Sequence, residues 1–247
     1  MTDARQAYAS ARLHARYARR PGAAQWGALD ASRTAAHYLD ALRAGRWLYV
    51  PEGALATDVD ERERWLRAAW REACEEVAGW HPTAWQRAFR WLAVLPDLDP
   101  LERLRADEPV PEWIHADPRL TPLADAAADL RAARLADGPY APLRAAWLDG
   151  RSLGVAWRDH WHSTWPTREA RTRRALETLE ASVIAARGLA AASRRDAIEA
   201  TARRIFRRVA DTPAAAVAQL ALYALQLERI RGGFARRDAV PEPGGAA

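Results

Sequence analysis

The residues of this chain whose types could do chemistry are few. Asp159, His160 and His162 form the one local group with metal-ligand character. On a helix, positions two apart point to different faces, so His160 and His162 do not chelate one ion there. His81 precedes a proline and His115 stands in a proline-rich stretch, neither with a partner at motif distance, which suits solvated or capping roles. Glu75-Glu76 and Asp97/Asp99 are carboxylate pairs, but acid–base work needs burial to move a pKa, and the sequence carries no sign of that burial. No Ser, Thr or Cys has the glycines of a nucleophile elbow. Cys74, the one cysteine, leaves no internal disulfide and falls on an apolar helical face, where a thiol is inert. All 37 basic residues are arginine. Without lysine, the usual P-loop and Schiff-base chemistries are excluded. The reading is a non-enzyme with no catalytic residue, cofactor or metal site.

The elements around these residues read as helices throughout. Ala, Leu, Arg and Glu dominate and β-branched runs are scarce, which predicts an all-α fold, an elongated multi-helix bundle of helical hairpins with no sheet of consequence. Asp58 and Glu61 have capping-box spacing, and a helix to Gly79 follows with Trp65, Ala69, Ala73 and Val77 recurring every four residues. Arg62, Arg67, Arg71 and Glu75 lie mostly off that stripe. Thr83 and Gln86 repeat the spacing, and Trp85, Ala88, Phe89 and Leu92 form a second apolar face. Helical spacing assigns Trp65, Trp70 and Trp85 to the core rather than to a ligand surface.

Before this hairpin, a helix from Asp3 to Arg20 carries Tyr8, Ala11, Ala15 and Ala18 on one face, a turn passes Trp26, and Ser32 caps a helix ending at Gly45. Trp47 to Val50 is a short apolar run of extended character. After it, residues 105–122 read as an exposed proline-rich connection, and Thr121-Pro122 opens a helix with Leu123, Ala127, Leu130 and Ala133 inward. Leu143, Trp147, Leu153, Trp157, Trp161 and Trp165 make a second tryptophan cluster expected to pack on the first, that of Trp65, Trp70, Trp80, Trp85 and Trp91. Helices over 167–187, with Leu176, Leu179 and Val183 buried, from Ser193, with Ile198, Ala202, Ile205, Phe206 and Val209 buried, and from Pro213 complete a single domain, 1–238. Residues 239–247 read as a disordered tail.

Net charge is +5, unevenly spread: residues 158–237 hold 16 Arg against 8 acidic residues, and residues 1–157 hold 21 against 22. Arg203, Arg204, Arg207 and Arg208 are the candidate partner-binding residues, a basic surface for an acidic protein or lipid headgroups. The opening MTDARQAYASAR lacks the apolar core of a signal peptide, and no uncharged apolar stretch approaches ~18 residues, so the expected location is cytoplasmic.

Two segments resemble the V-type and A-type ATPase central-stalk subunit called C in prokaryotes and d in eukaryotes. Tyr8-Ala9-Ser10-Ala11-Arg12 is similar to that family's opening, followed by a short helix over Gln25 to Leu29 and a small-residue helix ending in Leu42-Arg43. The closing helix resembles the family's repeat ending: Pro213, then Leu227-Glu228-Arg229-Ile230-Arg231, then Gly232-Gly233-Phe234. The likeness covers residues 8–75 and 195–236. Arg229 stands where the family often has asparagine, the tryptophan-rich middle has no counterpart, and the chain is shorter by about one of three helical bundles. The resemblance implies a shortened, non-catalytic adaptor that couples a central shaft to a membrane rotor ring, binding other protein subunits and no small-molecule substrate, and touching the cytoplasmic face of the inner membrane only peripherally. On this reading Glu228 and Arg231 form a structural ion pair. The alternatives are an unrelated all-α scaffold and a basic helical nucleic-acid-binding protein.

Overall fold

A computed structural model describes residues 2–45, 48, 50, 58–166 and 169–239. Helix accounts for 77% of these, and none is in a strand, so the chain is all-α. No described helix is long and apolar enough to cross a membrane. The apolar run from Trp47, the start of the 167–187 helix at Thr167 and the tail beyond Ala239 lie outside the described residues.

The chain forms two compact units, a terminal one of residues 1–62 and 169–247 and a central one of residues 63–168. The terminal unit holds α1 (Thr2–Ala18), α2 (Ala23–Asp30), α3 (Ala35–Gly45), α12 (Ala170–Ala185), α13 (Ala191–Arg208) and α14 (Pro213–Asp238). The first turn of α4 (Val59–Trp80) belongs to it as well.

α14 organises the terminal unit. Pro213 sits in its first turn behind Thr212, where a missing N–H costs nothing. From Ala214 to Leu220 every side chain is buried, so this stretch is apolar all round except at Gln219, as a central helix must be. α13 packs on it with Ile198, Ala202, Ile205 and Phe206, the stripe read from the sequence. α12 adds Leu176 and Leu179, but Val183 is exposed. α1 turns Ala9 and Leu13 inward instead of the Tyr8, Ala11, Ala15 face, and Tyr8 is exposed. Contacts decide that rotation: Tyr17 stacks on Phe206 with centroids 4.3 Å apart, and Arg16 lies 4.9 Å from the Tyr223 ring.

The other end of α14 is clasped by α2 and α3. Asp30 accepts from Arg229 at 2.6 Å and Arg236 at 3.0 Å, while Arg237 donates to the carbonyls of Gly233 and Leu29. Tyr38 is fully buried between Phe234, edge-on at 5.0 Å, and the Arg237 guanidinium at 4.0 Å. Gly233 makes room for it: a Cβ there would lie 2.3 Å from the Tyr38 hydroxyl. Arg62 closes the unit with a two-pronged pair to Asp238 at 3.0 and 2.9 Å.

The central unit is built on the rest of α4 and on α5 (Thr83–Leu92), α6 (Leu98–Arg105), α7 (Glu112–His115), α8 (Thr121–Ala124), α9 (Arg131–Ala136), α10 (Arg144–Leu148) and α11 (Leu153–Ser163). The Glu61 N–H donates to Asp58 at 2.9 Å, so α4 starts where its cap spacing places it. α5 begins differently: Pro82 is its cap residue, and Gln86 reaches back to the His81 carbonyl at 3.1 Å. The two helices form the expected hairpin, with the Trp70 indole donating to the Leu92 carbonyl at 3.0 Å and Trp65, Trp70 and Trp85 all buried.

Residues 105–122 are less open than expected. Ile114, Asp117 and Leu120 are buried, because α7 and α8 double the segment back on itself around Thr121, whose hydroxyl donates to the His115 and Asp117 carbonyls. The helix expected from Thr121 stops at Ala124 and leaves Ala127 and Leu130 exposed. Arg131 explains the break, since its Nε donates to the freed carbonyls of Leu123 and Ala126.

Candidate functional site

Arg67 and Arg71 of α4, off the apolar stripe, hold a buried charge network that through Arg71 forms the floor of a cleft in the central unit. Arg67 and Arg71 are a helical turn apart, so both reach the turn after α5. There Asp97, fully buried, accepts from Arg67 at 3.2 Å, Arg71 at 2.8 Å and the Tyr140 hydroxyl at 2.9 Å. Arg71 spans to a second buried carboxylate, Asp117, at 2.8 and 3.0 Å. Arg67 is held further by Glu63 at 2.8 Å and lies 3.9 Å from the Trp113 ring centroid. Burial by itself would lower the Arg71 pKa, but the charge of Asp97 and the hydrogen bond to Asp117 outweigh it and hold it above the ordinary value. Burial, with the adjacent charge of Asp97, raises that of Tyr140, so the phenol stays a donor. Every strong charge in this floor has a partner, the condition under which buried ions persist.

Above the floor opens a cleft of about 600 Å³. Arg71, Glu72 and Glu75 of α4 form one side, Arg87, Arg90 and Trp91 of α5 another, with Arg119, Pro139, Pro142 and His160 completing it. Arg90 is committed to Glu75, both oxygens lying 2.9 Å from its Nε. Arg87 meets His160, with Nη2 3.4 Å from the imidazole Nε2. Burial lowers the His160 pKa and the charge of Arg87 lowers it further, so the ring is neutral at neutral pH and its Nε2 accepts from Arg87. The ring also sits edge-on to Trp91 at 4.7 Å. Arg119 Nη1 is buried with no hydrogen-bond partner among the described residues.

Of the residues singled out by type and spacing, the structure brings His160 to this cleft but turns His162 toward Trp161 and Trp165. No cluster of three or more His, Cys, Asp or Glu suited to a metal occurs among the described residues. His81 is fully buried rather than solvated and donates from Nδ1 to Val77 O at 2.8 Å, capping the end of α4. His115 pairs with Asp125 at 2.9 Å. Cys74 is buried. The Asp97/Asp99 pair divides, Asp97 into the core and Asp99 to an exposed pair with Arg103 at 3.2 Å. Proline at Pro96, which breaks the helix before Asp97, was the only local sign that this carboxylate turns inward.

In the terminal unit Arg203, Arg204, Arg207 and Arg208 are all exposed on the last two turns of α13. Arg203 pairs with Glu199 at 2.6 Å along the helix. The helix C-terminus favours cations at Arg207 and Arg208, so part of this patch serves the helix itself. Glu228 approaches Arg194 of α13 at 3.7 Å, which ties α14 to its neighbour. Comparison with protein-family models, with curated proteins and with solved structures finds no match to this chain.

Proposed function

We propose that the protein is a non-catalytic helical adaptor of the rotary-ATPase central-stalk type, joining a shaft to a membrane rotor ring. The observation that carries this reading is that the segments whose motifs bear the resemblance, Tyr8 to Arg43 and Pro213 to Phe234, fold into one compact unit. The Tyr8–Arg12 helix packs on the closing helix that runs from Pro213 through Arg231, with Arg16 over Tyr223 of that helix and Ser10 donating to Ala210 O in the turn just before it, some 200 residues away. Gly233, part of the same closing pattern, has a structural task here in admitting Tyr38. Arg204, Arg207 and Arg208 offer exposed positive charge to an acidic partner surface or to anionic headgroups.

Affinity purification of the chain from its native cell tests the reading, with recovery of rotary-ATPase subunits as the expected result. Charge reversal by Arg204→Glu with Arg208→Glu should weaken that recovery while leaving the helical circular dichroism unchanged. Recovery of no ATPase subunit, or substrate turnover by the purified chain alone, overturns it in favour of an unrelated scaffold or an enzyme. Steeply salt-dependent binding to DNA or RNA would favour the nucleic-acid reading instead.

A further inference from the structure

The cleft of the central unit is not used by the adaptor reading, which rests on the terminal unit. Its volume of about 600 Å³ falls within the ~300–1,000 Å³ range of small-molecule sites. Four arginines line it against two glutamates. Arg71 and Arg90 are already matched by Asp97, Asp117 and Glu75. Arg87 and Arg119 are not. Among the described residues Arg87 has only the neutral His160 imidazole as an acceptor, and Arg119 Nη1 has none. The unmatched buried Nη1 of Arg119 is costly, Arg87 is solvent-exposed beside it, and a guanidinium gains most from an oxyanion able to accept two of its donors. Trp91, Pro139 and Pro142 supply an apolar wall beside them.

We propose that this cleft binds a phosphomonoester, with the phosphoryl oxygens taken by Arg87 and Arg119 and the organic body laid against Trp91 and the two prolines. The two guanidiniums come from different elements, α5 and the turn before α8, and His160 comes from a third. A tetrahedral group with three terminal oxygens can meet donors arriving from separate directions, whereas a planar carboxylate offers two. Glu72, which lines the cleft and has no ion-pair partner among the described residues, opposes the anion and limits the affinity.

Isothermal titration calorimetry of the full chain with phenyl phosphate, inorganic phosphate and benzoate tests this. Phenyl phosphate should bind saturably at one site, more tightly than inorganic phosphate, which lacks the apolar body, and more tightly than benzoate, which lacks the third oxygen. Arg87→Gln and Arg119→Gln should each weaken it by about tenfold, the loss expected for one charge-assisted hydrogen bond. Glu72→Gln should tighten it, a gain that misfolding cannot imitate, and Arg204→Gln on the other unit should leave it unchanged. No saturable binding of phenyl phosphate at millimolar ligand, equal binding of benzoate, or equal weakening by Arg204→Gln overturns the site. The Arg204/Arg208 purification experiment reads the other unit, so either result can fail without the other.

Discussion

Trp91 and Trp157 exchange hydrogen bonds: the Trp91 indole donates to the Trp157 carbonyl at 2.9 Å, and the Trp157 indole returns one to the Trp91 carbonyl at 3.2 Å. Both side chains are buried. The reciprocal pair pins α5 to α11 at one register, and it joins the two tryptophan clusters whose packing the sequence implies.

Replacing either tryptophan by phenylalanine keeps most of the ring volume and removes the donor. Each change removes one buried hydrogen bond and should cost about 0.5–1.5 kcal/mol, the Trp91 carbonyl keeping the Val94 N–H at 3.1 Å. Trp70→Ala, which removes a whole buried ring, should cost roughly 3–5 kcal/mol. Urea unfolding reads all three, and an unchanged midpoint in Trp91→Phe would show that the carbonyl finds another donor.

The buried charge floor and the exposed pair beside it make a matched test. Asp97→Ala leaves Arg67 and Arg71 without their shared acceptor and should cost about 3–5 kcal/mol. Asp99→Ala breaks only the exposed pair with Arg103 and should change stability by less than ~0.5 kcal/mol.

Gly232 and Gly233 are neighbours on α14 with opposite expectations. A Cβ at Gly233 would lie 2.3 Å from the Tyr38 hydroxyl and 2.5 Å from its Cζ, and that ring is fully buried, so Gly233→Ala should destabilise by about 1–3 kcal/mol or more. At Gly232 nothing lies within 4 Å, so alanine there should stabilise by up to ~1 kcal/mol through helix propensity. In Tyr38→Leu the penalty at Gly233 should shrink, as thermal melting of the double variant would show.

Stability should fall on both sides of neutral pH. Burial lowers the His81 pKa below the ordinary 6.5, outweighing the bond to Val77, so the folded state takes up a proton less readily than the unfolded one. Stability is therefore full above about pH 6.5 and declines as pH falls below it; His160 acts in the same direction. His81→Gln should flatten that slope in acid-titrated unfolding. Burial, only partly offset by Arg237, pushes Tyr38 up to about 12, so its contribution holds below about pH 10 and is lost as pH rises through 12. Tyr38→Phe should remove one late-titrating phenol from the alkaline absorbance curve.

Much of the local structure was legible in the chain. The stripe Ile198, Ala202, Ile205, Phe206 and the Asp58 cap needed no partner to be read, because helical period and capping are properties of neighbours in sequence. The tryptophans read as core are core for the same reason. What only the tertiary structure decided are pairings between elements. Whether Arg67 and Arg71 point to water or to Asp97 depends on carboxylates 26 to 46 residues away, and no periodicity reports a charge partner at that distance. The face of α1 follows likewise from Phe206 arriving from elsewhere in the fold, while the helix break at Ala124 and the depth of Ile114 turn on Arg131 and Thr121, whose carbonyl partners lie only five to eight residues away. Even the division into two units depends on residues 1–62 finding 169–247, a choice made by packing free energy summed over many distant contacts rather than by any local signal.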